Sequence, residues 1–185
     1  MDAEHMGADL ENILFTEEQI QQRLAELAQE VWADYEGEHD KLLLVGVLKG
    51  AVLVMADFMR ALPGSAPVDF LAVSSYGSGT KSSGVVRILK DLDTDISGRH
   101  VLIVEDIIDS GLTLNWIRTN LESRGPASVE ICTLLRKPEA AKVHVETKYV
   151  GFDIPPAFVV GYGLDYDEQY RNLRVIGTLA EHVYS

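Results

Sequence analysis

Glu105, Asp106, Asp109, Ser110, Gly111 and Thr113 fall within nine residues of one another, in the run VLIVEDIIDSGLTL from Val101 to Leu114. The four apolar residues Val101 to Val104 read as a fully buried strand. Glu105 and Asp106 would stand where such a strand emerges at its carboxyl end. Ile107 to Gly111 read as a tight turn, and a helix is expected from about Leu112 to Ser123. Open α/β sheets bind ligands at the carboxyl ends of their strands. The turn offers backbone N–H groups, the Ser110 and Thr113 hydroxyls and a helix N-terminus, a combination suited to a phosphate monoester. The two carboxylates cannot favour that phosphate, so they must face sugar hydroxyls or a hard cation. A sugar carrying a phosphate at one end is the ligand this run predicts.

Three other segments hold side chains of comparable chemistry. Leu48-Lys49-Gly50 ends a predicted strand; Gly50 permits close backbone approach, and Lys49 is either a solvated cation or one that faces the cleft. Lys137, in Leu134 to Pro138, is either a surface cation or a donor to a carbonyl oxygen. In VGFDIPPAFVVGYGLDYDEQYRNL, Val150 to Leu173, Phe158 is a core residue or a stacking platform for a planar base, and Val159 follows with backbone groups for the base edge. Asp165 is a turn carboxylate or reaches the cleft, and Arg171 makes a surface ion pair or a bidentate grip on a diphosphate.

The elements that must position these residues alternate along the chain. Thr16 with Gln19 forms a capping box, and Ile20, Leu24, Leu27 and Val31 recur at helical spacing. Strands are expected at 41–48, 68–76, 85–90, 100–104, 128–135, 148–151 and 157–161, with helices at 50–61 and 112–123. Alternation of this kind predicts an α/β fold: a mostly parallel central sheet with helices on both faces. A hairpin is expected around Gly77 to Gly84, GSGTKSSG, with that run as its flexible tip. Residues 1–12 are acidic, lack periodicity and are expected to be loosely ordered.

A chain of 185 residues fits one domain, and its 46% apolar content is ordinary for a globular protein. No apolar run approaches membrane-spanning length, and MDAEHMGADLENILF lacks the basic start and apolar core of a secretory signal. Cys132 is the single cysteine, set in the apolar run SVEICTLL, and reads as a small core residue. These features predict a cytoplasmic protein without membrane attachment. The net charge of −13 and the lack of a basic stripe argue against nucleic acid. An anionic substrate would need local cations: magnesium, Lys49, Lys137 and Arg171. No Walker-type phosphate loop or dinucleotide fingerprint occurs, and the five histidines show no metal spacing.

The run from Val101 resembles the phosphoribosyl-diphosphate motif of the type I phosphoribosyltransferases. The Val150 to Leu173 segment resembles the C-terminal segment of the hypoxanthine-guanine type. The likeness covers most of residues 41–177. It implies that Glu105 and Asp106 hold ribose hydroxyls, that Asp109, Ser110, Gly111, Leu112 and Thr113 form the phosphate loop, and that Asp109 is also the catalytic acid/base at purine N7. It further implies that Lys49 and Gly50 contact pyrophosphate, often through a cis peptide. Lys137 would select a 6-oxopurine, Phe158 would stack on it beside Val159, and Arg171 would meet pyrophosphate. Ser75 and Tyr76 match the pair that opens the family's flexible catalytic loop. Glu105, Asp106 and Asp165 would lie at magnesium. Gly163 takes the place of an alanine seen in some relatives, which reads as a small change. The implied fold adds a small hood, formed by the N- and C-terminal segments, to a single domain over 1–185. The implied reaction is purine salvage: transfer of the 5-phosphoribosyl group from phosphoribosyl diphosphate to N9 of hypoxanthine or guanine, by a homodimer or homotetramer. A nucleotide-sensing regulator with the same pocket and a xanthine-preferring enzyme are the alternatives. The combination of Asp109, Lys137 and Phe158 favours turnover.

Overall fold

The computed structural model describes residues 1–76 and 85–185. The loop expected at Gly77 to Gly84 lies outside them, as do the side chains of Ser75 and Tyr76. The chain begins with a 3-10 turn, Ala3–Asp9, followed by β1 (Leu10–Phe15) and α1 (Glu17–Asp34). Next come β2 (Leu42–Leu48), α2 (Val52–Ala61), β3 (Val68–Tyr76) and β4 (Val85–Lys90). The second half holds β5 (His100–Ile108), α3 (Leu112–Glu122), β6 (Ser128–Arg136), β7 (Tyr149–Asp153), β8 (Val159–Val160), β9 (Ile176–Leu179) and a short α4 (Glu181–Tyr184).

The central sheet has the order β4-β3-β2-β5-β6-β7, parallel throughout except for β4, which runs antiparallel to β3 at the edge. Successive strand residues point to opposite faces. Leu42 and Leu44 of β2 and Leu102 and Val104 of β5 pack with α1 and α2. Leu43, Val45, Val101 and Ile103 pack instead with Leu114, Ile117 and Leu121 of α3. Helices therefore cover both faces, and the unbroken apolar runs of β2 and β5 follow from burial on each side. Cys132 lies within the α1 side of this core.

The predicted capping box is present. The Gln19 N–H donates to Thr16 Oγ1 at 3.3 Å, and the Thr16 N–H donates to Gln19 Oε1 at 2.9 Å. Ile20, Leu24, Leu27 and Val31 are all buried.

Three elements depart from the expectation. The strand predicted to end at Val104 continues through the acidic pair to Ile108. The β6 ladder carries on beside it, pairing Glu105 with Thr133 and Ile107 with Leu135. Residues 1–12, expected to be loosely ordered, instead carry the 3-10 turn and the start of β1. Met6 is buried against Val160, Leu173 and Leu179, all more than 150 positions away, so local periodicity could not reveal it. The short β9, interrupted by Gly177, gave no strand pattern. It is the middle strand of a three-stranded antiparallel sheet, β1-β9-β8. The Phe15 ring stacks on Phe152 of β7 at 4.0 Å, tying this small sheet to the large one.

Candidate active site

The site lies at the carboxyl ends of β2, β5 and β6. Glu105 and Asp106 are consecutive on β5, and their carboxyl groups lie close enough to interact with one another although they line different cavities. Glu105 lines a cavity of about 150 Å³ together with Asp109, Ser110, Gly111 and Thr113. Asp106 lines a second cavity, of about 280 Å³, with Asp109, Lys137, Phe158, Val159 and Asp165. Asp109 belongs to both, so the two cavities adjoin.

The first cavity is shaped by the turn into α3. Gly111 caps that helix at φ 77°, in the left-handed region that glycine adopts without strain. A Cβ there would also come within 3.0 Å of the Val143 carbonyl. The Ser110 carbonyl accepts N–H bonds from Lys142 at 3.0 Å and Val143 at 3.3 Å, bracing the turn from behind. The first-turn N–H groups of α3, beginning at Leu112, are oriented toward this turn, where an anion would be favoured.

In the second cavity, Lys137 extends the β6 edge by donating its N–H to the Ile108 carbonyl at 2.9 Å. Its side chain is buried, and Nζ donates to Asp109 Oδ2 at 3.1 Å. A donor and an acceptor thus stand side by side. Phe158 is 38% exposed, a high value for phenylalanine, and stacks on Tyr184 of α4 at 5.2 Å with Tyr166 edge-on at 5.5 Å.

The peptide Leu48–Lys49 is cis. Gly50 follows, packed so tightly on β5 that a Cβ would lie 1.8 Å from Asp106 Oδ2. On its other side, a Cβ on Gly163 would lie 2.1 Å from the Gly50 carbonyl, and Gly163 has φ 98°. Alanine at 163 is therefore not a small change in this backbone: the Gly50 turn would have to move. Neither Lys49 nor Arg171 lines the two cavities. Lys49 Nζ donates to Glu168 at 2.9 Å, while Arg171 pairs with Asp165 at 2.9 Å and with Glu168 at 3.3 Å and donates to the Gly163 carbonyl at 2.8 Å.

Burial pushes the Glu105 carboxyl well above the usual range, and the adjacent Asp106 charge adds to this. Desolvation raises Asp106 as well, against the opposing bond from the Ile107 N–H at 2.7 Å. The three carboxylates expected at a metal do not gather at one point, although Glu105 and Asp106 interact. Asp106 and Asp165 share one cavity and Glu105 faces the other; among the described residues, no group of three acidic, histidine or cysteine side chains is poised as a metal cage.

Sequence reading missed three participants. Glu168 lies in the acidic run just before Arg171, where no motif distinguishes it. Tyr184 belongs to the short α4, which no sequence pattern announced. Tyr162 is buried and donates its hydroxyl to Asp57 of α2, with Gln21 of α1 donating to the same carboxylate at 2.7 Å. The chain approaches this contact through Gly161-Tyr162-Gly163, all three with positive φ, a clue visible only as paired glycines.

Comparison with known proteins places this geometry. The phosphoribosyl transferase domain model matches residues 12–167. The hypoxanthine-guanine phosphoribosyltransferase of Mycobacterium tuberculosis is 59% identical over 186 residues, covering 98% of this chain and 92% of that one. The enzyme of the same name from Streptococcus thermophilus is 49% identical, covering 96% of this chain and 97% of its own length. A crystal structure of a hypoxanthine phosphoribosyltransferase from Staphylococcus aureus superposes with a TM-score of 0.93 at 49% identity, covering 98% of this chain and 97% of that one. The chain belongs to the phosphoribosyltransferase family, within its hypoxanthine-guanine group.

Proposed function

We propose that this enzyme transfers the 5-phosphoribosyl group of phosphoribosyl diphosphate to N9 of hypoxanthine or guanine, giving the nucleotide and pyrophosphate. The observation that carries the reading is the Lys137–Asp109 pair, 3.1 Å apart in the Phe158-lined cavity. A 6-oxopurine presents O6 and N7 on one edge. Lys137 donates to O6, and Asp109 accepts the proton from N7 as N9 bonds to C1 of the ribose. A 6-aminopurine would set its amino hydrogens against the lysine. Phe158 stacks on the base, with Tyr184 and Tyr166 holding its ring, and Val159 offers backbone to the base edge.

Glu105 and Asp106 hold the ribose hydroxyls, and Ser110 to Thr113 hold the 5-phosphate. As the bond from C1 to the diphosphate breaks, positive charge spreads over the ring, as in other glycosyl transfer. The Glu105 and Asp106 carboxyl groups, which interact with one another at the end of β5, would face that charge. Lys49, Gly50 and Arg171 receive the departing diphosphate. The residues fit magnesium, because that ion takes one or two carboxylates plus substrate phosphates rather than an all-protein cage. Asp106 and Asp165, which line the same cavity, would hold it, and when bound it would supply neutralisation of diphosphate charge.

The chain acts as one domain over 1–185, with the β1-β9-β8 hood above the base cavity. The family reading extends to a cytoplasmic homodimer or homotetramer, which sedimentation of the pure protein would measure. The relatives' names as transferases favour turnover over a purely regulatory role. Incubation with phosphoribosyl diphosphate, magnesium and hypoxanthine should yield inosine monophosphate, whereas adenine should yield nothing. No product from hypoxanthine, guanine or xanthine would reject the assignment.

A further inference from the structure

The two cations assigned to the diphosphate are already engaged by a carboxylate of this chain. Glu168 places Oε2 2.9 Å from Lys49 Nζ and Oε1 3.3 Å from Arg171 Nη2. Each oxygen of one anion thus meets a different cation, as two oxygens of a diphosphate would. The side chains of Glu168 and Lys49 are 61% and 67% exposed, so the contact is water-screened and readily exchanged. Arg171 is not saturated, since its Nε–H is buried without a partner among the described residues. The loop does not need the Glu168 side chain for its shape. Tyr166 and Gln169 exchange backbone bonds at 3.3 and 2.9 Å, the Gly163 N–H donates to the Arg171 carbonyl at 2.9 Å, and Asp165 Oδ2 accepts the Glu168 N–H at 2.9 Å. Yet Asp167, Glu168 and Tyr170 all sit at positive φ, a strained path that projects the Glu168 carboxylate toward Lys49.

We propose that Glu168 is an internal competitor for the diphosphate subsite: its carboxylate holds Lys49 and Arg171 between turnovers, yields them to the incoming diphosphate, and returns as pyrophosphate leaves. Lys49 and Arg171 hold its carboxyl below the usual range, so it is charged at neutral pH. The competition keeps the two cations placed while lowering the affinity for both the donor and the product anion. In a chain of net charge −13 it also prevents stray anions from gaining the site. This inference rests on the reading of Lys49 and Arg171 as diphosphate ligands.

Calorimetry with magnesium pyrophosphate tests it on the whole protein. Glu168→Gln keeps the side-chain length but removes the charge. It should tighten pyrophosphate binding about two- to five-fold, the scale set by one water-exposed ion pair. The KM for the donor should fall by a similar factor. Pyrophosphate release, followed by stopped flow, should slow correspondingly. Asp167→Asn removes the same charge from the same loop without touching either cation, and should give less than half that gain. The advantage of Glu168→Gln should shrink in about 0.5 M salt. A merely loop-holding role predicts the reverse, weaker pyrophosphate binding. If Glu168→Gln binds pyrophosphate no better than the parent while Arg171→Ala weakens it more than ten-fold, the competitor is refuted and the diphosphate subsite stands. If Arg171→Ala and Lys49→Ala both leave pyrophosphate binding unchanged, the subsite itself is wrong.

Discussion

Replacing Gly50 by alanine should disable the enzyme without unfolding it. The backbone of Gly50 is not in the left-handed region, so alanine meets no conformational penalty there. The conflict is with one atom group. The new Cβ would stand 1.8 Å from Asp106 Oδ2, whereas ordinary contact begins near 3.4 Å. The carboxylate must therefore swing by about 1.5 Å, and a misplacement near 1 Å at a reacting centre costs on the order of 10²-fold. Swinging also threatens the Ile107 N–H bond to Asp106 Oδ1, worth about 1 kcal/mol. Steady-state kinetics should show kcat/KM for phosphoribosyl diphosphate reduced about 30- to 100-fold, or roughly 2–3 kcal/mol. The melting temperature should fall by only about 2–4 °C. Gly98→Ala is the matching control. Gly98 has φ 72°, and among the described residues no atom lies within 4 Å of where its Cβ would stand, so alanine there costs about 1–2 kcal/mol of stability and leaves kinetics alone. Activity of Gly50→Ala within three-fold of the parent would show that the Gly50 turn does not position Asp106, and the argument for both residues would fail.

Other consequences are as direct. Tyr162→Phe removes a hydroxyl that joins the C-terminal loop to Asp57 and Gln21; about 1 kcal/mol of stability should be lost, read as a 2–4 °C lower melting temperature, and an unchanged melt would show the bond to be idle. Burial pushes the Cys132 thiol up to about 12, so a disulfide reagent at pH 8 should label it only as fast as the protein unfolds; rapid labelling of the native protein would contradict the packing. Glu105 binds its proton more tightly in the folded chain than in the unfolded one. Its contribution to stability is accordingly greatest below the ordinary glutamate value of 4.5 and declines as pH rises from there through the raised folded value. Glu105→Gln should abolish that decline, leaving the variant more stable than the parent at neutral pH yet weaker in donor binding. An identical pH profile for both proteins would place the Glu105 carboxyl in water.

Most of the site was legible because its residues are contiguous. Glu105 to Thr113 sit at one strand end and the following turn. Lys137 was ambiguous alone, since a lysine after a strand is usually solvated. Only the β5–β6 register brings its ammonium to Asp109. Phe158 was likewise a core residue or a platform on sequence alone; the structure shows its ring partly exposed and stacked on Tyr184. Asp165 and Arg171 came from the family likeness, and the structure shows them paired with each other. Glu168 had no legible role, because the φ values that swing it toward Lys49 depend on the packing of Gly161 to Leu173 against Gly50 and α2.

By itself, the amino-acid order determined the strand and helix alternation, the Thr16 capping box, the core faces of α1 and the turn that opens α3. These depend on interactions between residues a few positions apart, and such interactions leave a period or a motif. Tertiary structure decided the hood, where Met6 finds partners more than 150 residues away, and the extension of β5 through its acidic pair. It also decided which cations Glu168 meets and how closely Gly50 rests on Asp106. Those contacts arise where distant backbones approach, and closeness between distant segments has no signature in either segment alone.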